Sequence, residues 1–195
     1  FVAMGKDKFA IPPSQMTVIP HVGVDLDKFG FAKRSWEPPW TIVMAGHVVP
    51  KKRQYTVLQM MKDLPPEFRL RIVGSLGMAG YGNAEYAINC TDYLAKSGLG
   101  ERVMSKAQVP HANMPEEYGQ CHLVLNASNE EGCATTVAEG MATGCLPLVN
   151  HWIGAEKLYP ETSLWDSPKA FYRLCEEFAA LSPAAKARRS KLAEQ

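Results

Sequence analysis

Short apolar runs alternate with longer stretches of three-to-four-residue periodicity along most of this chain. The runs at 16–20, 41–45, 70–73 and 122–127 are apolar on consecutive positions rather than on every second one, the pattern of strands buried on both faces. Between them, helical periodicity is predicted over 52–64, where Pro65-Pro66 would stop it, over 84–97, closed by Gly98, and around 115–120. A short strand is predicted near Val103, and a helix over 134–143, ended by Gly144, leads into a strand over 144–149. After Pro168, the segments 170–180 and 183–194 read as two terminal helices.

This alternation predicts an α/β fold, a Rossmann-like parallel sheet with helices on both faces. Ligands of such sheets bind beyond the carboxyl ends of the strands, which is where Gly46, Gly74 and Glu131 fall. The chain has 195 residues, 46% of them apolar, enough for a substantial core. Its 21 basic and 20 acidic residues leave a net charge of +1, so no overall field favours nucleic acid as a partner. No apolar run approaches the ~20 residues that span a bilayer, and the first residues lack the order of a signal peptide, so a cytoplasmic chain is expected. The five cysteines show no Cys-x-x-Cys spacing and the five histidines do not pair at ligand spacing, so neither disulfides nor a metal site is expected. Structural or surface roles are expected for His21, His111, His122 and His151, and a solvated face for the basic run Lys186, Arg188, Arg189 and Lys191.

The chemistry concentrates in the run from Glu131-Gly132-Cys133-Ala134-Thr135 to Glu139 and Gly144. A strand that passes through a glycine-bearing turn into a helix leaves the first helical N–H groups unpaired at the positive end of the helix dipole, which attracts phosphate. Two carboxylates beside a phosphate site repel it, but they suit a ligand that carries hydroxyls on both sides of its phosphates. A sugar nucleotide has that layout. Two glutamates eight positions apart also suit a solvated helix face, and the surrounding motif is what separates the two readings.

That motif, with Gly144-Cys145-Leu146-Pro147-Leu148-Val149 following it, resembles the donor-binding segment of retaining GT-B glycosyltransferases, the glycosyl transferases group 1 family. Cys133-Ala134 stands where the family often has Phe-Gly, and Gly140 where it often has Ala. The segment Gly46-His47-Val48-Val49-Pro50-Lys51-Lys52 is similar to the family's Gly-Arg-Leu-x-x-x-Lys motif, with Lys52 at the lysine and His47 at the arginine. A neutral imidazole makes one hydrogen bond where a guanidinium makes a charged fork. Lys51 and Arg53 are the nearby replacements. Gly74 to Gly82 does not fit the dinucleotide Gly-x-Gly-x-x-Gly spacing and is closer to the family's turn over the nucleotide. Gly98-Leu99-Gly100-Glu101-Arg102-Val103, Ala107-Gln108-Val109-Pro110 and the turn Pro20 to Asp25 resemble further family segments in the same order.

The resemblance implies one half of a GT-B fold. Residues 1–195 would form a single C-terminal, nucleotide-sugar-binding domain with 168–195 as its terminal helices, and the N-terminal acceptor-binding domain, its partner, would precede Phe1. Any membrane contact would be peripheral and made through that other half. It further implies a UDP- or GDP-sugar as substrate and no separate cofactor, with Glu131 holding the donor sugar and Lys52 acting on the diphosphate as the leaving group. Gly46, His47, Gly74, Gly132, Cys133, Ala134 and Thr135 would line the diphosphate and nucleotide, Val109 would meet the base, and Glu139 would bind the ribose diol. The chain alone would bind donor without transferring sugar. The rival readings are a non-catalytic sugar-nucleotide-binding module and a nucleotide-dependent dehydrogenase or epimerase domain, the latter disfavoured by the missing glycine fingerprint.

Overall fold

The structure is a computed structural model that describes residues 23–74, 76 and 83–193. Six parallel strands form one sheet in the order β3-β2-β1-β4-β5-β6. They are β1 (Trp40–Ala45), β2 (Phe68–Val73), β3 (Val103–Lys106), β4 (Leu123–Asn126), β5 (Leu146–Asn150) and β6 (Leu164–Trp165). The helices are α1 (Gln54–Met60), α2 (Ala84–Ser97), α3 (Met114–Gly119), α4 (Thr135–Ala142), α5 (Pro168–Ala180) and α6 (Pro183–Ala193). The Rossmann-like α/β class expected from the sequence is the one observed. The strand expected at 16–20, the first half of the turn expected at 20–25 and the glycine-rich stretch from 75 to 82, Leu76 apart, lie outside the described residues.

The chain builds outward from β1 in both directions, so the strand order reverses between β1 and β4. A crevice opens at the carboxyl end of such a reversal. The strands' consecutive apolar residues serve two cores, one on each face. Ile42, Met44, Leu70, Ile72, Leu123 and Leu125 pack with Leu58 of α1 and Phe171 and Phe178 of α5. Val43, Val73, Val124 and Val149 pack on the other face with Tyr118 of α3 and Val137 of α4. Alternation along β1 and β4 therefore distributes apolar side chains between two buried layers instead of between core and water.

Two local expectations are corrected, and one strand, β6, is unexpected. The helix expected over 52–64 is split: Pro50–Lys52 is a 3-10 turn closed by the Arg53 N–H to Pro50 O at 3.0 Å, and Arg53 adopts a left-handed conformation at φ 59° before α1 begins. Periodicity could not reveal the break, because a non-glycine residue in that region costs only ~1–2 kcal/mol and long-range bonds from its side chain can offset that. β6, two residues long, is too short to leave a pattern. Lys186 is buried instead of solvated. Its Nζ sits 4.2 Å from the Trp40 ring centroid and donates to Ala179 O at 3.2 Å, and burial lowers its pKa. Helical phase alone turns it inward from the basic run, and cation–π contact compensates part of its lost hydration.

His122, as expected, is structural. The Thr41 N–H donates to its Nδ1 at 3.0 Å, which places the ring proton on Nε2, directed to Ser35 O at 2.9 Å. Burial lowers its pKa, and Arg34 and Lys186 add to that against the Ser35 bond. The neutral ring thus fastens the segment before β1 to the start of β4.

Helix α4 approaches β4 more closely than a side chain permits. A Cβ added at Gly140 would lie 2.7 Å from Val124 Cβ and 2.8 Å from its Cγ2. The absence of a side chain at 140 thus sets how low the helix lies on the sheet, and with it the height of the loop carrying Glu131. Gly140→Ala should lower unfolding free energy by ~1–3 kcal/mol through overpacking, measured by urea denaturation. Unchanged stability would show that α4 can lift off β4 without cost.

Candidate functional site

The crevice is lined by the segments after β1 and β4. At the first, Gly46 N–H bonds Val73 O at 3.0 Å, and Gly74 N–H bonds Lys106 O at 3.0 Å. A Cβ at Gly74 would stand 2.2 Å from Gly46 O. Backbone fills the space a side chain would need, so the ends of β1 and β2 run flush beneath the crevice. Between the two segments, the Asn129 N–H donates to Lys51 O at 3.1 Å.

Glu131 and Lys52, chosen from the sequence, meet across this gap. Lys52 Nζ donates to Glu131 Oε1, with side-chain exposures of 19% and 9%. Ser128 Oγ donates to the same oxygen at 2.6 Å and Asn126 Nδ2 at 3.1 Å. Burial raises the Glu131 pKa, but the bonds from Lys52, Ser128 and Asn126 outweigh it and hold the carboxyl below the ordinary value of 4.5. All three bonds fall on Oε1. Among the described residues, none falls on Oε2.

Sequence reasoning missed the supporting polar residues. Asn126 ends β4, Asn150 ends β5, and the buried Asn150 donates from Nδ2 to Ser128 O at 2.8 Å while accepting from Arg53 Nη1 at 3.3 Å. Two asparagines closing adjacent apolar strands were the available signal, since an amide at a buried strand end needs partners. Arg53, weighed from the sequence as a substitute for a missing phosphate-binding charge, is committed to Asn150 and lies 5.7 Å from the Trp165 ring centroid.

Glu139 is buried within α4 and fully engaged. Tyr118 Oη donates to Oε2 at 3.2 Å, and His111 Nε2 lies 2.7 Å from Oε1. Lys28 Nζ lies 2.9 Å from His111 Nδ1. An ammonium only donates, so Nδ1 accepts and the ring proton lies on Nε2, pointed at Glu139. His111, expected to be structural or a surface residue, therefore stands at the mouth of the candidate ribose position. Burial, together with the Glu139 charge, drives the Tyr118 hydroxyl's pKa well above its ordinary range, so it remains a donor.

The start of α4 has no side-chain cap and no acidic residue in its first turn. The first helical N–H groups are expected to be unpaired, but that of Thr135 donates to Cys133 O at 3.1 Å. Gly132 is exposed, Cys133 half-buried and Ala134 buried against the core. Val109 is half-buried just before the 3-10 turn His111–Asn113. His47 is exposed, and its carbonyl accepts from Gln54 Nε2 at 2.8 Å. The site therefore offers a fixed carboxylate whose Oε2 takes no bond among the described residues, an ammonium with N–H donors beyond the one given to Glu131, and a helix start, all at the sheet's reversal. Among the described residues, no group of three or more His, Cys, Asp or Glu side chains could hold a metal ion, and no helix is long and apolar enough to cross a membrane.

A family model described as "Glycosyl transferases group 1" matches residues 27–158. No curated protein sequence matches the chain. Among solved structures, sucrose-phosphate synthase from Thermosynechococcus elongatus superposes with a TM-score of 0.79 at 16% identity, covering 99% of this chain and 50% of that one. The C-terminal domain of a glycosyl transferase group 1 family protein from Francisella tularensis gives 0.69 at 14% identity, covering 88% and 95%. An Anabaena protein solved in complex with UDP and glucose gives 0.69 at 18% identity, covering 80% and 43%. The chain thus spans half or less of two of these relatives and nearly all of the isolated C-terminal domain.

The Lys52–Glu131 pair makes a definite prediction. A carboxyl whose folded pKa is depressed contributes stability above its unfolded pKa and loses it as pH falls through the folded value. Lys52→Met should therefore lower stability at pH 7 and move the acid loss upward. A double-mutant cycle with Glu131→Gln, read by urea denaturation at pH 7, should return a coupling of ~1–3 kcal/mol. A coupling near zero would mean the two side chains do not depend on each other.

Proposed function

The chain belongs to the glycosyl transferases group 1 family, and we propose that it is the C-terminal, donor-binding half of a retaining transferase of the GT-B type. The observation that carries this is Glu131, held at the sheet's reversal by three donors on Oε1 while Oε2 receives none among the described residues. A carboxylate beside a diphosphate would repel it, and Lys52 removes that conflict. Its ammonium has three N–H groups, so it can keep its bond to Glu131 and still donate to a phosphate oxygen.

In this reading the donor is a UDP- or GDP-sugar. Glu131 Oε2 accepts hydroxyls of the sugar, and Lys52, with the N–H groups at Gly132, Cys133 and the start of α4, stabilises the diphosphate as negative charge develops on it. The uncapped helix start places its partial positive charge on the same group. His47 adds a contact after β1, Gly46 leaves room for the nucleotide, Gly74 lets the ends of β1 and β2 lie flush beneath it, and the backbone near Val109 meets the base. Glu139 binds the ribose diol, which requires the His111 bond to be shared or displaced. The acceptor site and a closed cleft belong to a second domain, so the chain alone should bind donor and transfer none.

Calorimetry with UDP, GDP, their sugar conjugates and NAD tests the reading. A uridine or guanosine diphosphate sugar should bind and NAD should not. Glu139→Ala should weaken the bare diphosphate and the sugar nucleotide alike, by ~1–3 kcal/mol, whereas Glu131→Ala should weaken the sugar nucleotide more. Equal losses from Glu131→Ala would remove that residue from the sugar position, and preference for NAD would remove the proposal.

A further inference from the structure

Glu131 is oriented by a chain of side chains that reaches the end of the neighbouring strand β5 and the segment after β1, and that chain decides which carboxylate oxygen is presented to a ligand. Both asparagine amides in it are fixed at each end. Asn126 donates from Nδ2 to Glu131 Oε1 at 3.1 Å and accepts on Oδ1 from the Ser128 N–H at 3.1 Å. Asn150 donates from Nδ2 to Ser128 O at 2.8 Å and accepts on Oδ1 from Arg53 Nη1 at 3.3 Å. Reversing either amide would set donor against donor and acceptor against acceptor, so each orientation is enforced by its pair of partners. Ser128 is wholly buried and sits at the junction. Its N–H, C=O and hydroxyl are all engaged, the hydroxyl with Glu131 at 2.6 Å.

We propose that Ser128 and Asn150 are positioning residues that lock the Glu131 carboxylate with Oε1 turned inward and Oε2 turned to the donor sugar, Asn150 acting only through Ser128. The proposal rests on the reading that Glu131 meets the sugar. Three donors on one oxygen saturate its lone pairs, which leaves the sugar hydroxyls a single rigid acceptor atom. A carboxylate free to rotate would offer two, at the cost of discrimination between donors with and without the matching hydroxyls. Arg53 belongs to the same arrangement. Lys52, just before the left-handed Arg53, bonds Glu131, and the Arg53 guanidinium bonds Asn150, so the segment after β1 grips the network at both ends.

The test has one arm that needs no ligand. With the side-chain carboxyl of Glu131 followed by ¹³C NMR in the unliganded chain, its titration should move up in pH in Ser128→Ala and in Asn150→Ala. The double variant should move it no further than Ser128→Ala alone, and Ser128→Thr, which keeps the hydroxyl, should restore it. In the second arm, the ratio of affinities for sugar nucleotide over bare nucleoside diphosphate should fall by about three- to tenfold in both alanine variants, with the bare diphosphate unchanged. A titration unmoved by Asn150→Ala, additive shifts in the double variant, or equal weakening of both ligands would each overturn the positioning role. Failure of the wild-type chain to bind any sugar nucleotide would sink the donor-binding reading instead, and the titration arm would still decide whether Ser128 and Asn150 orient the carboxylate.

Discussion

The bond between Lys52 and Glu131 is the constraint on which the site depends. It spans the place where the strand order turns back on itself, joining two segments that are remote in sequence and connected by no shared element. A lysine and a carboxylate that are both half-buried are each costly alone, and together they fix the distance between the loop after β1 and the loop after β4. The backbone bond from Asn129 to Lys51 and the Ser128–Asn150–Arg53 chain repeat that connection by independent routes. The two walls of the crevice are thereby tied to each other by polar bonds.

Apolar packing sets the frame in which those bonds can form. The two cores hold the sheet between layers of helices, and the missing Cβ at Gly140 lets α4 settle against Val124. With the helix higher, Glu131 would sit above Ser128 and Asn126. The same closeness seats Glu139 beside Tyr118 and His111, so one glycine influences the heights of both carboxylates. Gly74 acts similarly at the other wall, where the flush packing of two backbones leaves no side chain to obstruct the crevice.

The two carboxylates differ in a way that follows from their neighbours. Glu131 is bonded on one oxygen by a cation and two neutral donors, a state that keeps it charged and half available. Glu139 has a donor on each oxygen, one of them a histidine polarised from behind by Lys28. A ligand can join Glu131 without breaking anything, but it must share or displace a bond at Glu139. Under the proposed donor-binding reading, the ribose end would therefore reorganise the site more than the sugar end.

The sequence by itself determined five of the six strands, most helices and the family, because consecutive apolar runs, turn glycines and the Glu131–Glu139 spacing are local signals. It also singled out Lys52 and Glu131, whose residue types carry the chemistry wherever they stand. Tertiary structure alone decided that the two would touch, that Oε1 and not Oε2 would be occupied, and that Asn126, Ser128 and Asn150 would support them. It also decided the break at Arg53, the burial of Lys186 and the arrival of His111 at Glu139. These features share one physical cause. Each depends on a partner from another segment, brought near only when the sheet forms, and a polar or left-handed residue whose compensation is long-range leaves no periodicity for a local pattern to carry.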